Sequence, residues 1–337
     1  MTNGPHDHIF KRAFESAEHA AAELRAVLSP ALSRHVNWDS LRSEPCTFID
    51  ADLNHQQADL LFSAKIADHP AFIYILFEHQ SSNDPLMPLR LLAYVVRILE
   101  HHQRTAKVIL PLPVVIPVVL HHSHTGWRQP LELLPLFGDV VNQVPELESF
   151  VPRFQFYLDD ISYVSDAQLR LRALQAFPAL ALWALRDART PVRLLKSLGY
   201  WADLLTELVL APNGVEAIRS LFEYITLVAD DLSAQNLREA VAKAAPLAEP
   251  IIMTIAEQLR AEGRAEGLTI AEQLRAEGRA EGLLKGEALL LERLLIGKFG
   301  ELPTEVQSRL QTASRLDVER WAERVLLADG LEAVFAD

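Results

Sequence analysis

The sequence predicts an α/β domain, followed by an all-α region and a small helical module at the C-terminus. Three observations support this fold class: an amphipathic helix pattern near the N-terminus, short apolar runs of strand length before residue 160, and Leu- and Ala-rich segments with helical spacing after it. The 337 residues are 50% hydrophobic and 23% charged, which is typical of a globular protein. This length is sufficient for two or three folded units.

The N-terminal region predicts two helices and five strands. Apolar residues spaced near 3.6 predict one helix over 8–28, and Pro30 provides its stop signal. Asp84 and Pro85 predict the start of a further helix whose apolar run spans Leu89–Leu99, with Pro88 tolerable in its first turn. The strand predicted at 112–120 contains prolines that make a central position in a sheet awkward. The predicted strands are 46–53, 57–66, 71–80, 112–120 and 153–158.

Residues 163–252 have the composition and spacing of a helical bundle. The segment TIAEQLRAEGRAEGL at 254–268 then recurs unchanged at 269–283. One extra copy of a straight 15-residue helix would rotate the C-terminal residues by about 60° and move them by about 22 Å. The repeat therefore indicates either a connector or a coiled-coil seam of a homo-oligomer. We expect four segments: 1–162, 163–252, 253–286 and 287–337.

The last segment predicts three short helices, at 287–299, from Pro303, and from Leu316 through Val325. The stripe formed by Trp321, Val325 and Leu326 predicts a small core.

Composition limits the cellular setting. A single cysteine, Cys46, allows no disulfide within the chain and fits a reducing compartment. The first residues lack the pattern of a signal peptide, and the apolar tract 108–120 is too short to span a bilayer. We therefore expect a soluble cytoplasmic protein with no membrane partner. The net charge of −13 argues against a nucleic-acid coat protein, but not against an enzyme that meets phosphates through metal ions.

The run IYILFEHQ at 73–80 is a buried-strand pattern that ends in polar residues. A symmetric four-residue turn at 67–70 would join it to the strand 57–66 and place Asp59 opposite Glu78. Directly opposed carboxylates destabilise a sheet unless one takes up a proton or a cation lies between them. With Gln80 on the same face, these oxygen ligands suit Mg²⁺, or Mn²⁺ and Ca²⁺ less selectively. A solvated hairpin end is the alternative.

Three segments resemble the recombination-promoting nuclease (Rpn) family, also called YhgA-like, within the PD-(D/E)XK nuclease superfamily. They are PHD with FK at 5–7 and 10–11, ADLL at 58–61, and FEHQSS at 77–82 followed by LRLLAY at 89–94. The resemblance covers roughly residues 5–210. The C-terminal fifty residues are similar to a small helical module found at the end of many such proteins.

The resemblance implies a PD-(D/E)XK-like mixed sheet flanked by helices and a metal-dependent DNA endonuclease linked to recombination and mobile elements. Asp59 and Glu78 would be metal ligands, together with the backbone carbonyl of His79. Gln80 stands in the place of the usual lysine, and an amide offers dipoles rather than a full charge. The alternatives are a nuclease-like module that binds DNA or protein without cutting, and an assembly protein that acts through its C-terminal helices.

Supporting roles are open for three residues. Arg90 is the nearest candidate cation, with Tyr94 four residues later on the same helix face; a surface arginine is the alternative. Asp7 could add a carboxylate to the site or cap the first helix. Five histidines, at positions 101, 102, 121, 122 and 124, have no recognised zinc spacing, so we interpret them as a helix tail and a strand end. Asp159 and Asp160 are expected in a solvated loop.

Overall fold

The computed structural model forms two compact units, Met1–Ala256 and Glu257–Asp337. Within the part of the chain that is described, no helix is long and apolar enough to cross a membrane. The described residues are 4–46, 59–78, 84–107, 110–229, 232–255, 257, 285–328 and 330–335.

The first unit is built on one mixed five-stranded sheet in the order β1-β2-β3-β4-β5. The β1–β2 and β2–β3 pairs are antiparallel, whereas β3–β4 and β4–β5 are parallel. The predicted α/β class with a mixed sheet is therefore confirmed. The strands are β1 Val36–Glu44, β2 Asp59–Ile66, β3 His69–Glu78, β4 Val114–His121 and β5 Tyr157–Asp160.

We call the edge at which β2 begins and β3, β4 and β5 end the carboxyl edge. It carries the strand positions of Asp59, Glu78, His121 and Asp160. Because parallel strands end at the same side of a sheet, residues from three separate segments meet there.

The first strand differs from the prediction. The sheet begins with β1 at Val36–Glu44, and of the predicted strand 46–53 only Cys46 is described, outside any strand; 47–53 lie outside the described residues. The sequence of β1, VNWDSLRSE, is mostly polar, and only Val36 and Leu41 are buried. An edge strand with little apolar surface produces a weak pattern in the sequence.

The predicted helix over 8–28 is two helices, α1 Pro5–Phe14 and α2 Ala17–Val27. The break is at Ser16, whose extended backbone (φ −72°, ψ 129°) begins α2 as its N-cap. Pro30 begins a short helix, α3 Pro30–Ser33. The prediction after β3 is confirmed: α4 spans Met87–Thr105 with Pro88 in its first turn.

β4 occupies a central position despite Pro117, which the sequence predicted to be awkward there. Pro117 pairs with Tyr74 of β3, and β5 pairs only from Val118 onward. Position 117 therefore has a strand neighbour on one side alone, which fits a residue that has no backbone N–H to donate.

Helices cover both faces of the sheet. α4 packs on one face through a core cluster that joins it to β2, β3 and β4. On the other face, Glu23 of α2 contacts Asp159 at the end of β5 through Arg172, and His6 of α1 contacts His122 just past β4. The core under α4 consists of Leu61, Tyr74, Met87, Leu91, Tyr94, Ile98, Val119 and Phe156.

The rest of the first unit is helical from residue 161 onward, as predicted for 163–252. Every residue of α7 (AFPALALWALRD) is buried, so this helix is the centre of the helical layer. The helices after β4 are α5 Val140–Gln143, α6 Asp166–Arg170, α7 Ala176–Asp187, α8 Pro191–Ser197, α9 Ala202–Leu210, α10 Gly214–Val228 and α11 Ala234–Ala244, with further helical residues at 249–255.

The second unit contains the three predicted helices, at 285–299, Thr304–Gln311 and Arg315–Val325, and a fourth turn at Leu331–Val334. Trp321 and Val325 lie in its core as predicted, whereas Leu326 is 74% exposed because the helix ends at Val325. Almost all of the tandem repeat lies outside the described residues, so its two interpretations stay predictions.

Candidate active site

The β2–β3 hairpin sets the geometry of the site. A two-residue turn, Ala67–Asp68, joins the strands, and both residues have positive φ (47° and 65°). Ile66 therefore pairs with His69, and Asp59 pairs with Leu76. The predicted four-residue turn, which would have placed Asp59 directly opposite Glu78, is wrong by two positions. Two-residue turns with left-handed residues match the twist of paired strands, which favours them in hairpins.

The shift of two positions leaves Asp59 and Glu78 on the same face of the sheet, because side chains along a strand alternate between faces with a period of two. Positions 59, 76 and 78 share one face, and 59 and 78 are diagonal neighbours, whose Cα atoms are typically about 7–8 Å apart. Tyr74 lies two residues before Leu76 in β3 and therefore on the same face. It packs against α4, so this is the face that α4 covers. The structure describes the strand positions of Asp59 and Glu78 but not their side chains. His79 and Gln80 lie outside the described residues.

Arg90 lies in the first turns of α4, above this face. Its Nη1 donates to Oδ2 of Asp84 at 2.9 Å, and its Nη2 lies 3.3 Å from the sulfur of Met87. Tyr94, one helical turn later, is fully buried, and its ring packs edge to face against Tyr74 with 5.6 Å between centroids. The two candidate supporting residues thus lie on the helix that covers the face of Asp59 and Glu78.

Asp7 is 1% exposed in the first turn of α1, where the N-cap residue is Gly4. Its carboxylate is therefore not the N-cap, although a negative charge in a first turn is favourable to the helix. The preceding residue, His6, contacts Tyr224 and Arg189, and its ring centroid lies 5.4 Å from that of His122. α1 thereby begins beside the end of β4, on the face opposite α4.

His121 is a residue of the carboxyl edge that the sequence pattern indicated only as a strand end. It is the last residue of β4, it is fully buried, and its Cα pairs with that of Glu78. Its Nε2 lies 3.0 Å from Oγ of Ser123, and its ring packs edge to face on Trp127 at 5.1 Å. The sequence HHSH at 121–124 indicates a histidine-rich segment. Only the pairing of β3 with β4 identifies which of its histidines lies beside the position of Glu78.

Asp159 and Asp160 are not in a solvated loop, because both end β5. Asp160 accepts hydrogen bonds from the backbone N–H groups of Trp127 (2.7 Å) and Ser162 (3.0 Å). These bonds tie the segment after β4 to the end of β5.

Asp159 is buried on the face of the sheet opposite α4. There Arg172 donates two hydrogen bonds to Asp159, at 2.6 and 2.7 Å, and another to Glu23. Two carboxylates thus share one guanidinium. Burial, followed by repulsion from Asp159, raises the pKa of Glu23 well above its ordinary value. This triad joins α2, β5 and the segment after α6, and its contacts give it a structural role.

The described residues contain no group of three His, Cys, Asp or Glu side chains able to hold a metal ion. The side chains of Asp59 and Glu78 are not among the described ones. The structural support for a metal site at these two residues is therefore the register of β2 and β3, which places positions 59 and 78 on one face of the sheet.

Comparison with known proteins gives the family of this chain. The model of the family described as "Putative transposase, YhgA-like" matches residues 4–215. The inactive recombination-promoting nuclease-like protein RpnE of Escherichia coli K12 is 30% identical over 267 residues, which are 79% of this chain and 85% of RpnE. The recombination-promoting nuclease RpnA of the same strain is 27% identical over 78% of this chain and 86% of RpnA.

A third relative, the recombination-promoting nuclease RpnD of Escherichia coli O157:H7, is 28% identical over 77% of this chain and 95% of RpnD. The similarity in each case extends over most of both proteins. No solved structure matches the chain significantly.

Proposed function

Since the chain belongs to the YhgA-like transposase family and is similar to recombination-promoting nucleases, we propose that it is a DNA endonuclease. It hydrolyses phosphodiester bonds with little sequence specificity and acts in recombination or on mobile elements. Asp59 and Glu78 would hold a metal ion, Mg²⁺ or alternatively Mn²⁺ or Ca²⁺.

The observation that carries this proposal is the register of β2 and β3. It brings two carboxylate positions, 59 and 78, to one face at the carboxyl edge, although 19 positions of sequence separate them. Like charges on neighbouring strand positions are unfavourable, and a shared cation converts that repulsion into binding. The pair lies on the face covered by α4, which carries Arg90 and Tyr94.

The donor set fits a hard cation. Two carboxylates and a backbone carbonyl, that of His79, are oxygen ligands of the kind that Mg²⁺ binds together with water. A bound Mg²⁺ lowers the pKa of a coordinated water and neutralises charge on a phosphate. In this proposal the side-chain amide of Gln80 donates a hydrogen bond to the phosphate or the attacking water, in the place where lysine would supply a full charge.

A second function is favoured by two observations. RpnE, a relative of this chain, is described as inactive. In this chain Gln80 stands where the usual lysine would supply a positive charge. Under this alternative the domain binds DNA, or another protein, without cutting. Assembly through the repeat and the C-terminal helices is compatible with either function.

Nicking of supercoiled plasmid with Mg²⁺ or Mn²⁺ tests the proposal. We expect Asp59→Asn and Glu78→Gln each to slow nicking by more than about 100-fold, since loss of outer-shell partners of a metal already costs about 10–100-fold. Asp68→Asn is the matched control: it makes the same atomic change in the exposed turn of the same hairpin, and asparagine tolerates positive φ.

Wild type and Asp59→Asn that nick DNA equally would point to a contaminating nuclease and refute the proposal. DNA binding without nicking in either metal would support the second function instead.

A further inference from the structure

Tyr163 presents an exposed aromatic ring just after the end of β5. The strand positions of Glu78, His121 and Asp160 are paired in one row across the carboxyl edge. Because neighbouring strands are about 4.8 Å apart, the position of Asp160 lies about 10 Å from that of Glu78. Tyr163 follows Asp160 by three residues and is 69% exposed. The ring is therefore beside the edge that carries the positions of the candidate metal ligands.

The loop after β4 fixes the ring of Tyr163. Its Oη donates to the backbone carbonyl of His124 at 2.8 Å. One edge of the ring lies over Gly126, where a Cβ would come within 2.8 Å of Cε2 of the ring and 3.0 Å of Oδ2 of Asp160. The backbone of Gly126 has φ +66°, a conformation that glycine adopts at no steric cost. The ring is thus held in one place although most of the residue is exposed.

A fixed and exposed ring suits a flat partner. Aromatic surface in contact with water is unfavourable, and a ring that is already held loses little side-chain entropy when a partner stacks on it. The hydroxyl of Tyr163 already donates to His124, so the exposed part of the residue is mainly the apolar ring. Stacking is the contact that such a ring offers.

Arg128 places a positive charge close to this ring, two residues after Gly126. Its guanidinium is exposed, and its Nε donates to the backbone carbonyl of Thr125 at 3.4 Å. Within the part of the chain that the structure describes, no carboxylate pairs with it. An aromatic ring beside a cation is the combination with which proteins bind single-stranded nucleic acid, since bases stack on the ring and the cation attracts the phosphates.

We propose that Tyr163 and Arg128 bind an unpaired segment of DNA at the carboxyl edge. Tyr163 stacks on a base, and Arg128 contacts a phosphate. The bases of an intact duplex are stacked on one another, so the partner of the ring is an unpaired base. This inference rests on the proposed function and specifies its substrate class: single strands, or DNA with locally unpaired bases.

Arg34 provides a matched control for Arg128. It is exposed, and its Nε donates to a backbone carbonyl four residues earlier, at 3.2 Å. It lies next to the β2–β3 turn, where the carbonyl of His35 accepts from the N–H of Ala67. β3 starts at this turn and has ten residues, so Arg34 is about 30 Å from the carboxyl edge. Only Arg128 lies beside Tyr163.

The test measures binding of a fluorescent oligothymidylate to the full-length protein by anisotropy, with EDTA to prevent cleavage. We expect Tyr163→Ala to weaken binding by about 5–150-fold, the range found when a base loses its aromatic partner. Phe150→Ala should not change the affinity, since Phe150 is 83% exposed but precedes β5. A duplex of the same length should bind Tyr163→Ala and wild type equally.

The salt dependence tests the phosphate contact separately. Arg128→Gln should reduce the slope of log affinity against log salt concentration by about 0.7, which corresponds to one phosphate of a single strand. Arg34→Gln removes the same charge at the opposite edge and should leave the slope unchanged. An equal change of slope in both variants would overturn the role of Arg128.

Circular dichroism establishes that each variant is folded. If Tyr163→Ala is not folded, Tyr163→Leu decides, because leucine keeps apolar surface over Gly126 but offers no aromatic face. The inference is overturned by wild-type affinity in the folded variant, by an equal loss in Phe150→Ala, or by a wild type that does not bind the oligonucleotide. Plasmid nicking tests the proposed function separately. Binding that depends on Tyr163 in a protein that does not nick would refute the endonuclease alone.

Discussion

Arg90 and Asp84 form an ion pair at the start of α4, with 2.9 Å between Nη1 and Oδ2. Oδ1 of the same carboxylate accepts from the backbone N–H of Leu86 at 2.8 Å, so the pair also fixes the chain entering the helix. The side chains are 12% and 23% exposed, which makes the pair less accessible to solvent than a surface ion pair. Arg90, the candidate cation of the site, is thus held by an ion pair with Asp84.

We expect Arg90→Leu to lower the free energy of unfolding by about 1–3 kcal/mol. The substitution removes a charge-assisted hydrogen bond, and the half-buried carboxylate of Asp84 loses the guanidinium that donates to it. In a double-mutant cycle with Asp84→Asn, the coupling energy should be about 1 kcal/mol. Urea unfolding measures both quantities. Arg104→Leu, at the exposed end of α4, should change stability by less than about 0.5 kcal/mol. A coupling energy near zero would show that the pair is not formed in solution.

The glutamine in the lysine position predicts a gain of function. Gln80→Lys would add a full positive charge beside the phosphate, and preorganised charge at a developing anion commonly changes rates by a factor of ten or more. We therefore expect the variant to nick plasmid DNA at least about tenfold faster than wild type.

Gln103→Lys is the control for Gln80→Lys, because it adds the same charge at an exposed position of α4. Faster nicking by both variants would mean that general attraction of DNA, rather than the site, explains the gain. A rate for Gln80→Lys at or below that of wild type would argue against the role given to position 80.

Glu23 predicts a dependence of stability on pH. Its pKa is raised in the folded protein by burial and by repulsion from Asp159, so the folded state holds the proton more tightly than the unfolded state. The stability that this proton contributes is present below the ordinary pKa of glutamate and is lost as pH rises through the raised value. We expect Glu23→Gln, which stays neutral, to become more stable than wild type as pH rises through that range.

Urea midpoints of the two proteins across this pH range measure the difference. Glu15→Gln, at an exposed position of the same region, makes the same atomic change and should alter the free energy of unfolding by less than about 0.5 kcal/mol. A difference between Glu23→Gln and wild type that does not change with pH would contradict the raised pKa of Glu23.

The hairpin turn predicts a stabilising substitution. Ala67 has φ 47°, a conformation that costs a residue with a Cβ about 1–2 kcal/mol. We expect Ala67→Gly to raise the free energy of unfolding by about 0.5–1 kcal/mol, even though glycine loses more entropy on folding. Ala64→Gly, in the neighbouring strand β2, should have the opposite sign because Ala64 is buried there. Destabilisation by Ala67→Gly in urea unfolding would count against the two-residue turn and thus against the register of Asp59.

Much of the fold is predictable from local pattern. The spacing of apolar residues identified α4 with Pro88 in its first turn, the strands around the hairpin, the helical layer and the three helices of the C-terminal unit. The pattern missed β1, whose mostly polar residues carry little periodic signal, and it merged α1 with α2 because a single extended residue, Ser16, separates them.

The sequence by itself determined the types of element and the residue types of the candidate site, because helix and strand periodicities are properties of short segments. Only the tertiary structure decided which residues are neighbours. The two-residue turn shifted Asp59 from Glu78 to Leu76, the β3–β4 pairing brought His121 beside Glu78, and the packing of α2 on β5 buried Glu23 with Asp159 and Arg172. These contacts join segments that are distant in sequence, and their geometry depends on strand pairing and burial that no short segment contains.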